Sequence, residues 1–235
     1  TYYRLYRAMV RAKISQLSRE PATETAEQKA QALARLRTYL TYGLNLIQPI
    51  PPCLYMTHGY SGSGKSRLAA QLAERSHAIC LRSDVERKRL HALRPSGLER
   101  YDPAFTEHTY RYLLDLTRTL LTAGFSVVVD ATFLDSTHRR QQQELARELG
   151  FEWFLFSCTA PTALLRQRIQ QRTLEGRDPS EASVAVLERQ IASHHPLTDD
   201  EHAHQIVIDC TTPESMLACL ENHLPGRQLF SKYAN

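Results

Sequence analysis

From Cys53 onward, short apolar runs alternate with longer stretches whose apolar residues recur every three or four positions. The runs are Cys53–Thr57, Ala78–Leu81, Phe125–Val129, Trp153–Cys158 and Ile206–Ile208. Runs this short, bounded by polar or glycine-containing turns, predict strands. The longer stretches predict helices over 65–75, 105–122, 136–149, 161–172, 181–193 and 213–223. Gly124 and Gly150 each follow a helix and precede a strand, where a helix-ending glycine belongs. Strand–helix alternation predicts a parallel sheet with helices on both faces. Val127-Val128-Val129 is apolar without alternation, as expected of a strand covered on both sides. The expected fold is an α/β three-layer sandwich of about five parallel strands.

The first fifty residues follow another pattern. Leu5, Ala8, Met9, Ala12 and Leu17 stand among basic residues at helical spacing, predicting an amphipathic helix over 2–19. Pro21 breaks it. Thr23, followed by Ala26 and Glu27, is placed to cap a second helix over 24–42. Gly43 and the run Pro49-Ile50-Pro51-Pro52 are expected to end this region in a stiff, extended seam. The chain therefore divides into an N-terminal helical extension, 1–48, and a second domain, 49–235.

Composition narrows the classes. A hydrophobic fraction of 42% and a charged fraction of 23% over 235 residues suit an ordinary buried core. The net charge of +4 is met by a nucleotide partner, and permits nucleic acid without requiring it. No run of about 18 apolar residues is present, so no transmembrane helix and no membrane partner are expected. TYYRLYRAMVRAK carries arginines throughout and no apolar stretch, unlike a secretory signal. The first residue is Thr, which suggests a piece of a longer polypeptide. Five cysteines lack any C-x-x-C pair, and Cys53, Cys80, Cys158 and Cys210 lie in or beside predicted strands. They read as small buried hydrophobes in a reducing, cytoplasmic setting rather than as a disulfide framework.

One motif carries chemistry outright. Gly59-Tyr60-Ser61-Gly62-Ser63-Gly64-Lys65-Ser66 matches G-x-x-x-x-G-K-[ST], following a predicted strand and opening a predicted helix. Glycines let backbone N–H groups turn toward phosphates, and the helix N-terminus adds positive partial charge. Lys65 is expected to reach the β- and γ-phosphates, and the Ser66 hydroxyl to join the shell of a Mg²⁺ ion. The candidate nucleotide-binding set is Gly59, Ser61, Gly62, Ser63, Gly64, Lys65, Ser66 and Arg67, with ATP and Mg²⁺ as cofactors. Another nucleoside triphosphate is open as the donor.

The second strand leads into Arg82-Ser83-Asp84-Val85-Glu86-Arg87. Ligands of open parallel sheets bind beyond the carboxyl ends of the strands, so Asp84 is expected on the rim that holds the phosphate loop. There it can take the proton of an attacking hydroxyl, or simply cap the helix that follows. Arg87, one turn on, is placed to pair with an anionic group of the acceptor. Asp130 ends the third strand, where a carboxylate orients Mg²⁺ or its waters. The predicted helix over 161–172 carries Arg166, Arg168 and Arg172, of which the last two share a face. They precede a polar stretch, Thr173–Ser180, so that 166–180 is expected to act as a lid delivering arginines to the transferring phosphoryl group.

These motifs carry a resemblance. GYSGSGKS, the S-D-x-x-R of Ser83–Arg87, the V-D-A-T of Val129–Thr132 and the R-x-x-x-R of Arg168–Arg172 resemble the P-loop kinase superfamily. That superfamily includes polynucleotide 5′-kinases, gluconate-kinase-like enzymes and zeta-toxin-like kinases. LRSDVERKRL and VVVDATFL are similar to the ATP-binding half of bacterial proteins that fuse an aminoglycoside-phosphotransferase-like domain to a P-loop domain. YYRLYRAMVRAK resembles the final helices of their first half, so a fused or associated phosphotransferase-like domain is implied as a partner, without its chemistry. In the polynucleotide-kinase branch, the resemblance implies Asp84 as general base and Arg87 on the acceptor's phosphate. It implies Lys65 and Ser66 on ATP and Mg²⁺, and the lid arginines on the phosphates. The chain departs from that branch at Thr132-Phe133, where polynucleotide kinases favour V-D-A-T-N; this bears on the acceptor. The expectation is an ATP-dependent phosphotransferase acting on a hydroxyl, either a polynucleotide 5′-end or a small metabolite such as a nucleotide sugar. The alternative is a nucleotide-regulated module controlling a fused domain.

Weaker features remain. His194, His195, His202 and His204 cluster in sequence, but with no cysteine near they read as a solvated loop rather than a zinc site. Tyr101, Phe105 and Tyr110 are candidates either to stack on an acceptor base or to pack helices. Arg82, Arg87, Lys88 and Arg89 form a basic run that either tracks a phosphate backbone or faces solvent.

Overall fold

The computed structural model describes residues 2–17, 25–47, 51–93, 102–175 and 182–223. Contacts divide the chain into Thr1–Ile50 and Pro51–Asn235.

The first unit is a helix pair, α1 (Tyr2–Leu17) and α2 (Ala26–Ile47), closed over buried Ala8, Ala12 and Ala32. Thr23, the expected cap of α2, lies outside the described residues. Thr25 serves instead: its backbone N–H donates to Gln28 Oε1 at 2.9 Å, and the Gln28 N–H donates to Thr25 Oγ1 at 3.3 Å. This reciprocal pair is a capping box. The helix does not stop near Gly43 but runs through it. A Cβ at Gly43 would sit 3.5 Å from Leu5 and 3.8 Å from Ala8, so the residue packs against α1. Glycine inside a helix costs only about 1 kcal/mol relative to alanine, which packing of this kind overrides.

In the second unit the chain runs β1 (Cys53–His58), α3 (Lys65–Ser76), β2 (Ile79–Arg82), α4 (Ser83–Leu93), α5 (Pro103–Thr122), β3 (Val127–Asp130), α6 (Ser136–Glu148), β4 (Glu152–Thr159), α7 (Thr162–Glu175), α8 (Val184–Ser193), α9 (Asp199–Ala203), β5 (Gln205–Asp209) and α10 (Pro213–His223). The five strands form one parallel sheet in the order β2-β3-β1-β4-β5. Residues of β1 point alternately into two cores. Leu54 and Met56 join Val127, Val129, Trp153 and Leu155 on one face; Tyr55 joins Val128, Phe156 and Ile208 on the other. This is the three-layer α/β sandwich expected.

α4 begins on the residue after β2, with no connecting loop. α9 replaces part of what read as a polar loop. Its signal is Thr198-Asp199-Asp200-Glu201, a capping box in which Thr198 and Glu201 satisfy each other's backbone N–H. Asp102 and Asp135 cap α5 and α6, accepting from Ala104 N and Thr137 N. Every strand runs the same way, so β1, β2 and β3 all end on one rim, beside the reversal of strand order at β1.

Candidate active site

The segment between β1 and α3 is the phosphate-loop motif. Gly59 has φ 137°, and a Cβ there would lie 2.7 Å from the Cys158 carbonyl oxygen. Gly62 has φ 81°, and a Cβ would lie 2.9 Å from the Leu165 carbonyl oxygen of α7. Only glycine fits either position, because backbone from β4 and α7 closes on the loop. Lys65 is buried and donates from Nζ to the Tyr60 carbonyl at 2.7 Å. Its burial lowers its pKa, against the opposing pull of Asp130 and Asp84.

A cleft of 430 Å³ opens over the loop. Ser61, Gly62, Gly64, Lys65, Ser66 and Arg67 form one side; Ser83, Asp84, Arg87, Thr106, Tyr110 and Asp130–Thr132 form the other. Arg168 and Arg172 also line it. Residues far apart in sequence thus share one cavity. Gly59 and Ser63 do not: they line a separate cavity.

The wall facing the loop is braced by side chains. Asp84 lies in the first turn of α4, half-buried at the cleft. Arg87 is buried and donates from Nη1 to Thr106 Oγ1 at 3.0 Å. Asp130 is buried and accepts from Arg82 Nε at 3.4 Å. Arg89 instead bonds Glu86 at 2.8 Å and the Tyr112 hydroxyl. Arg82, Arg87 and Arg89 of the basic run are thus held by separate partners. Tyr110 lies between rings, stacked on His138 at 3.8 Å and edge-on to Phe133 at 5.6 Å, with its hydroxyl 3.3 Å from Thr132 Oγ1. Burial raises its pKa. Phe105 is buried against His91 and His108. Phe105 packs between helices, whereas Tyr110 both packs and lines the cleft; Tyr101 lies outside the described residues.

The three arginines of α7 go different ways. Arg166 pairs with Glu188 at 2.8 Å on the exposed surface. Arg168 donates to the carbonyls of Gly62, Cys210 and Thr211 at 3.3, 2.8 and 2.9 Å, tying α7 to the phosphate loop and to the end of β5. Arg172 donates to the Ala182 carbonyl at 3.1 Å. The segment read as a lid is thus regular helix through Glu175, packed on the loop through Leu165 and Ile169. Its remainder, 176–180, lies outside the described residues.

Sequence reasoning missed the residues that join these parts. Gln190 of α8 accepts from Ser61 N at 2.9 Å and so touches the phosphate loop. Arg139 of α6 is fully buried and gives its donors to five groups. These are Glu201, at 2.7 and 3.1 Å, and the carbonyls of Phe133, Leu134, His195 and Pro196. His195 N also donates to Leu134 O at 2.9 Å. The segment after β3 is thereby latched to the segment after α8. Burial alone would raise the Glu201 carboxyl; Arg139, Thr198 and Gln143 outweigh it and bring it to about 2. An arginine in a polar-rich helix gives no sequence sign of burial. Phe133 lies at φ 47° and is fully buried, so the departure from V-D-A-T-N faces the core rather than the cleft.

The four histidines go to separate places. His194 is edge-on to Tyr60, His195 lies against Ser136, His202 against Gln205, and His204 stacks on Trp153. Among the described residues no group of three His, Cys, Asp or Glu is placed to hold a metal ion. None of the described helices is long and apolar enough to cross a membrane. Toward Mg²⁺ the cleft offers oxygen donors, the exposed Ser66 hydroxyl and the carboxylates of Asp130 and Asp84. That donor set suits a hard cation that keeps several waters.

With this geometry in hand, comparison with known proteins is informative. An uncharacterized protein of Mycobacterium tuberculosis is 29% identical over 195 residues, 79% of this chain. An uncharacterized protein of Mycobacterium bovis matches to the same extent. The chain spans 38% of the length of these relatives. Among solved structures, a Chloroflexus aurantiacus protein given the provisional name of kinase is similar with a TM-score of 0.58. The two are 22% identical, covering 73% of this chain and 96% of that one. A Janibacter sugar kinase gives 0.55 at 20% identity, over 73% and 94%. The Mycobacterium tuberculosis APS kinase CysC, in complex with AMPPNP and APS, gives 0.54 at 19% identity, over 74% and 96%. The fold is thus that of P-loop kinases. The family model AAA_33, described as an AAA domain, matches residues 54–197, and the chain belongs to that family.

Proposed function

We propose that this chain is a P-loop kinase that transfers the γ-phosphate of ATP to a hydroxyl of a small molecule. One observation carries the reading: the phosphate loop and the S-D-x-x-R segment line the same cleft, with Lys65, Ser66, Asp84, Arg87 and Asp130 around it.

The triphosphate lies along the loop, against its N–H groups and the N-terminus of α3. Lys65 leaves the Tyr60 carbonyl for the β- and γ-phosphates. Ser66 and Asp130 would hold Mg²⁺, which when bound neutralises charge on the phosphates. Asp84 accepts the proton of the acceptor hydroxyl as its oxygen bonds to γ-phosphorus, and the bond to the β-bridging oxygen breaks to release ADP. Arg87 orients an anionic group of the acceptor, and Thr106 orients Arg87. Arg172 adds positive charge at the transferring group. Arg168 acts by positioning the loop, because its donors already hold three carbonyls.

A polynucleotide 5′-end is the less favoured acceptor. Among the described residues, Arg82 and Arg89 of the basic run are engaged with carboxylates, which weakens their pull on a phosphate backbone. The relatives' greater length supports placing this kinase unit in a larger protein. A module that only binds or hydrolyses ATP is the second reading.

The test is transfer of label from γ-labelled ATP with Mg²⁺, to a panel of sugars, sugar acids and nucleotide sugars beside 5′-hydroxyl oligonucleotides. Label is expected on a small molecule, and is lost in Asp84→Ala while ATP binding persists. Label on an oligonucleotide would reassign the acceptor. ATP hydrolysis without transfer, unchanged by Asp84→Ala, would remove Asp84 as base.

A further inference from the structure

The phosphate loop is a partition. Ser61, Gly62 and Gly64 line the cleft, whereas Gly59, Tyr60 and Ser63 line a second cavity of 240 Å³. Among the described residues, none of the side chains around that second cavity is a carboxylate, an ammonium or a guanidinium. Its chemistry is nevertheless specific. Gln205 Nε2 donates to Ser157 Oγ at 2.8 Å, and Ser157 Oγ lies 3.1 Å from His58 Nδ1. An amide nitrogen only donates, so the Ser157 hydroxyl proton is free to go to His58 Nδ1. Donated that way, the bond leaves the ring hydrogen on Nε2. Burial, with Arg139 and Lys65 adding to it, holds the imidazole pKa at about 4, so the ring is neutral at pH 7.

Among the described residues, nothing bonds the buried His58 Nε2 or the buried Ser63 Oγ, and both residues line this cavity. Ser63 is 1% exposed. Buried polar groups in native proteins are almost always satisfied, so two such atoms at one cavity point to an occupant. The occupant must accept from an imidazole N–H and bond a hydroxyl. Among the described residues, no charged side chain lines the cavity, so an uncharged occupant is the one that needs no ion-pair partner there.

We propose that this cavity is a binding site for a small uncharged molecule with a hydrogen-bond-accepting oxygen, whose presence stiffens the phosphate loop from the side opposite the nucleotide. An internal water and a neutral carbonyl or hydroxyl solute share that chemistry. The connection to the cleft is short. Tyr60 lines the cavity, and its carbonyl accepts from both Ser63 N, at 3.2 Å, and Lys65 Nζ, at 2.7 Å.

Three measurements test it on the full chain. In high-resolution crystals grown with and without acetamide, an oxygen is expected within bonding distance of His58 Nε2 and Ser63 Oγ. If it is unchanged by acetamide the occupant is water; if it is replaced by the acetamide oxygen, the site takes solutes. No density at His58 Nε2 overturns the site. Long-range ¹⁵N–¹H spectra should show His58 protonated at Nε2; protonation at Nδ1 overturns the tautomer on which the site rests. His58→Phe should weaken ATP binding about tenfold, which corresponds to about 1.4 kcal/mol. Ser157→Ala frees the imidazole without touching the loop and should weaken it less. Unchanged affinity in both variants overturns the link to the loop. Failure of the kinase reading would show as absent transfer, and would leave the occupancy and tautomer results standing.

Discussion

The two sides of the cleft are built by different means. The phosphate loop is eight consecutive residues shaped by glycine torsions and by the backbone of β4 and α7 closing on them. The facing wall draws on α4, α5, β3 and α6, and is held by side chains: Arg87 on Thr106, Arg82 on Asp130, Tyr110 between Phe133 and His138. Shape made by backbone survives most side-chain changes but no added Cβ. Shape made by side chains fails one contact at a time, and that makes the difference measurable.

The largest expected effect is on the wall. Asp84→Asn should slow transfer roughly 10²–10⁴-fold, the usual share of a general base, while ATP affinity stays within a few-fold. A parallel loss of ATP binding, read by calorimetry, would mean that Asp84 belongs to the donor side instead. Next is the latch behind the wall. Arg139→Met leaves Glu201 buried without its cation and should cost about 3–5 kcal/mol of stability in urea unfolding. Arg139→Met with Glu201→Leu should recover much of that loss; no recovery would show that the four carbonyl contacts carry the latch, not the ion pair.

A third effect divides the regions by pH. His58 belongs to the loop side, and its folded pKa of about 4 lies below the unfolded 6.5. Between those values the unfolded chain binds a proton that the folded chain refuses. Stability should therefore fall as pH drops from 6.5 to 4, by on the order of 3 kcal/mol. His58→Phe should flatten that slope in thermal unfolding, and parallel curves would remove His58 as the cause. Glu201, at about 2, keeps its full contribution above pH 4.5 and loses it only as pH falls toward 2. The smallest effect is at the seam between the sides. Gln190→Ala removes the acceptor of Ser61 N and should weaken ATP binding about fivefold, equivalent to about 1 kcal/mol. No change would mean that water replaces the amide there.

The same contrast explains what the sequence made legible. The five strands and the loop depend on neighbours in sequence, and the expected strands match the observed ones within two residues. Asp84, Arg87 and Asp130 were locatable because each lies at or soon after the end of a strand that defines the rim. Arg139 was not, since Glu201 is 62 positions away and nothing local marks the arginine as buried. Gln190 and Thr106 act through single long-range bonds and carry no motif. Arg168 and Arg172 were found by spacing, but spacing could not say that Arg168 would hold carbonyls. Two short signals went unused, Thr25-x-x-Gln28 and Thr198-x-x-Glu201, both of which mark helix starts.

Phe133 bears on how such a chain can drift. Its left-handed torsion is one that asparagine adopts readily and a bulky aromatic does not, yet its ring fills the core beside Tyr110. Backbone ease and core volume therefore ask for different residues at one position. Random replacement at 133 should return two sets of survivors. One would keep an aromatic and the torsional strain. The other would take asparagine or glycine, relax the turn, and survive only with a larger residue nearby to fill the void. Arg139 donates to the backbone carbonyl of Phe133, a contact that does not require the side chain at 133. A lineage could thus pass between the two solutions without moving Asp130 or Thr132, the residues just before the turn that line the cleft.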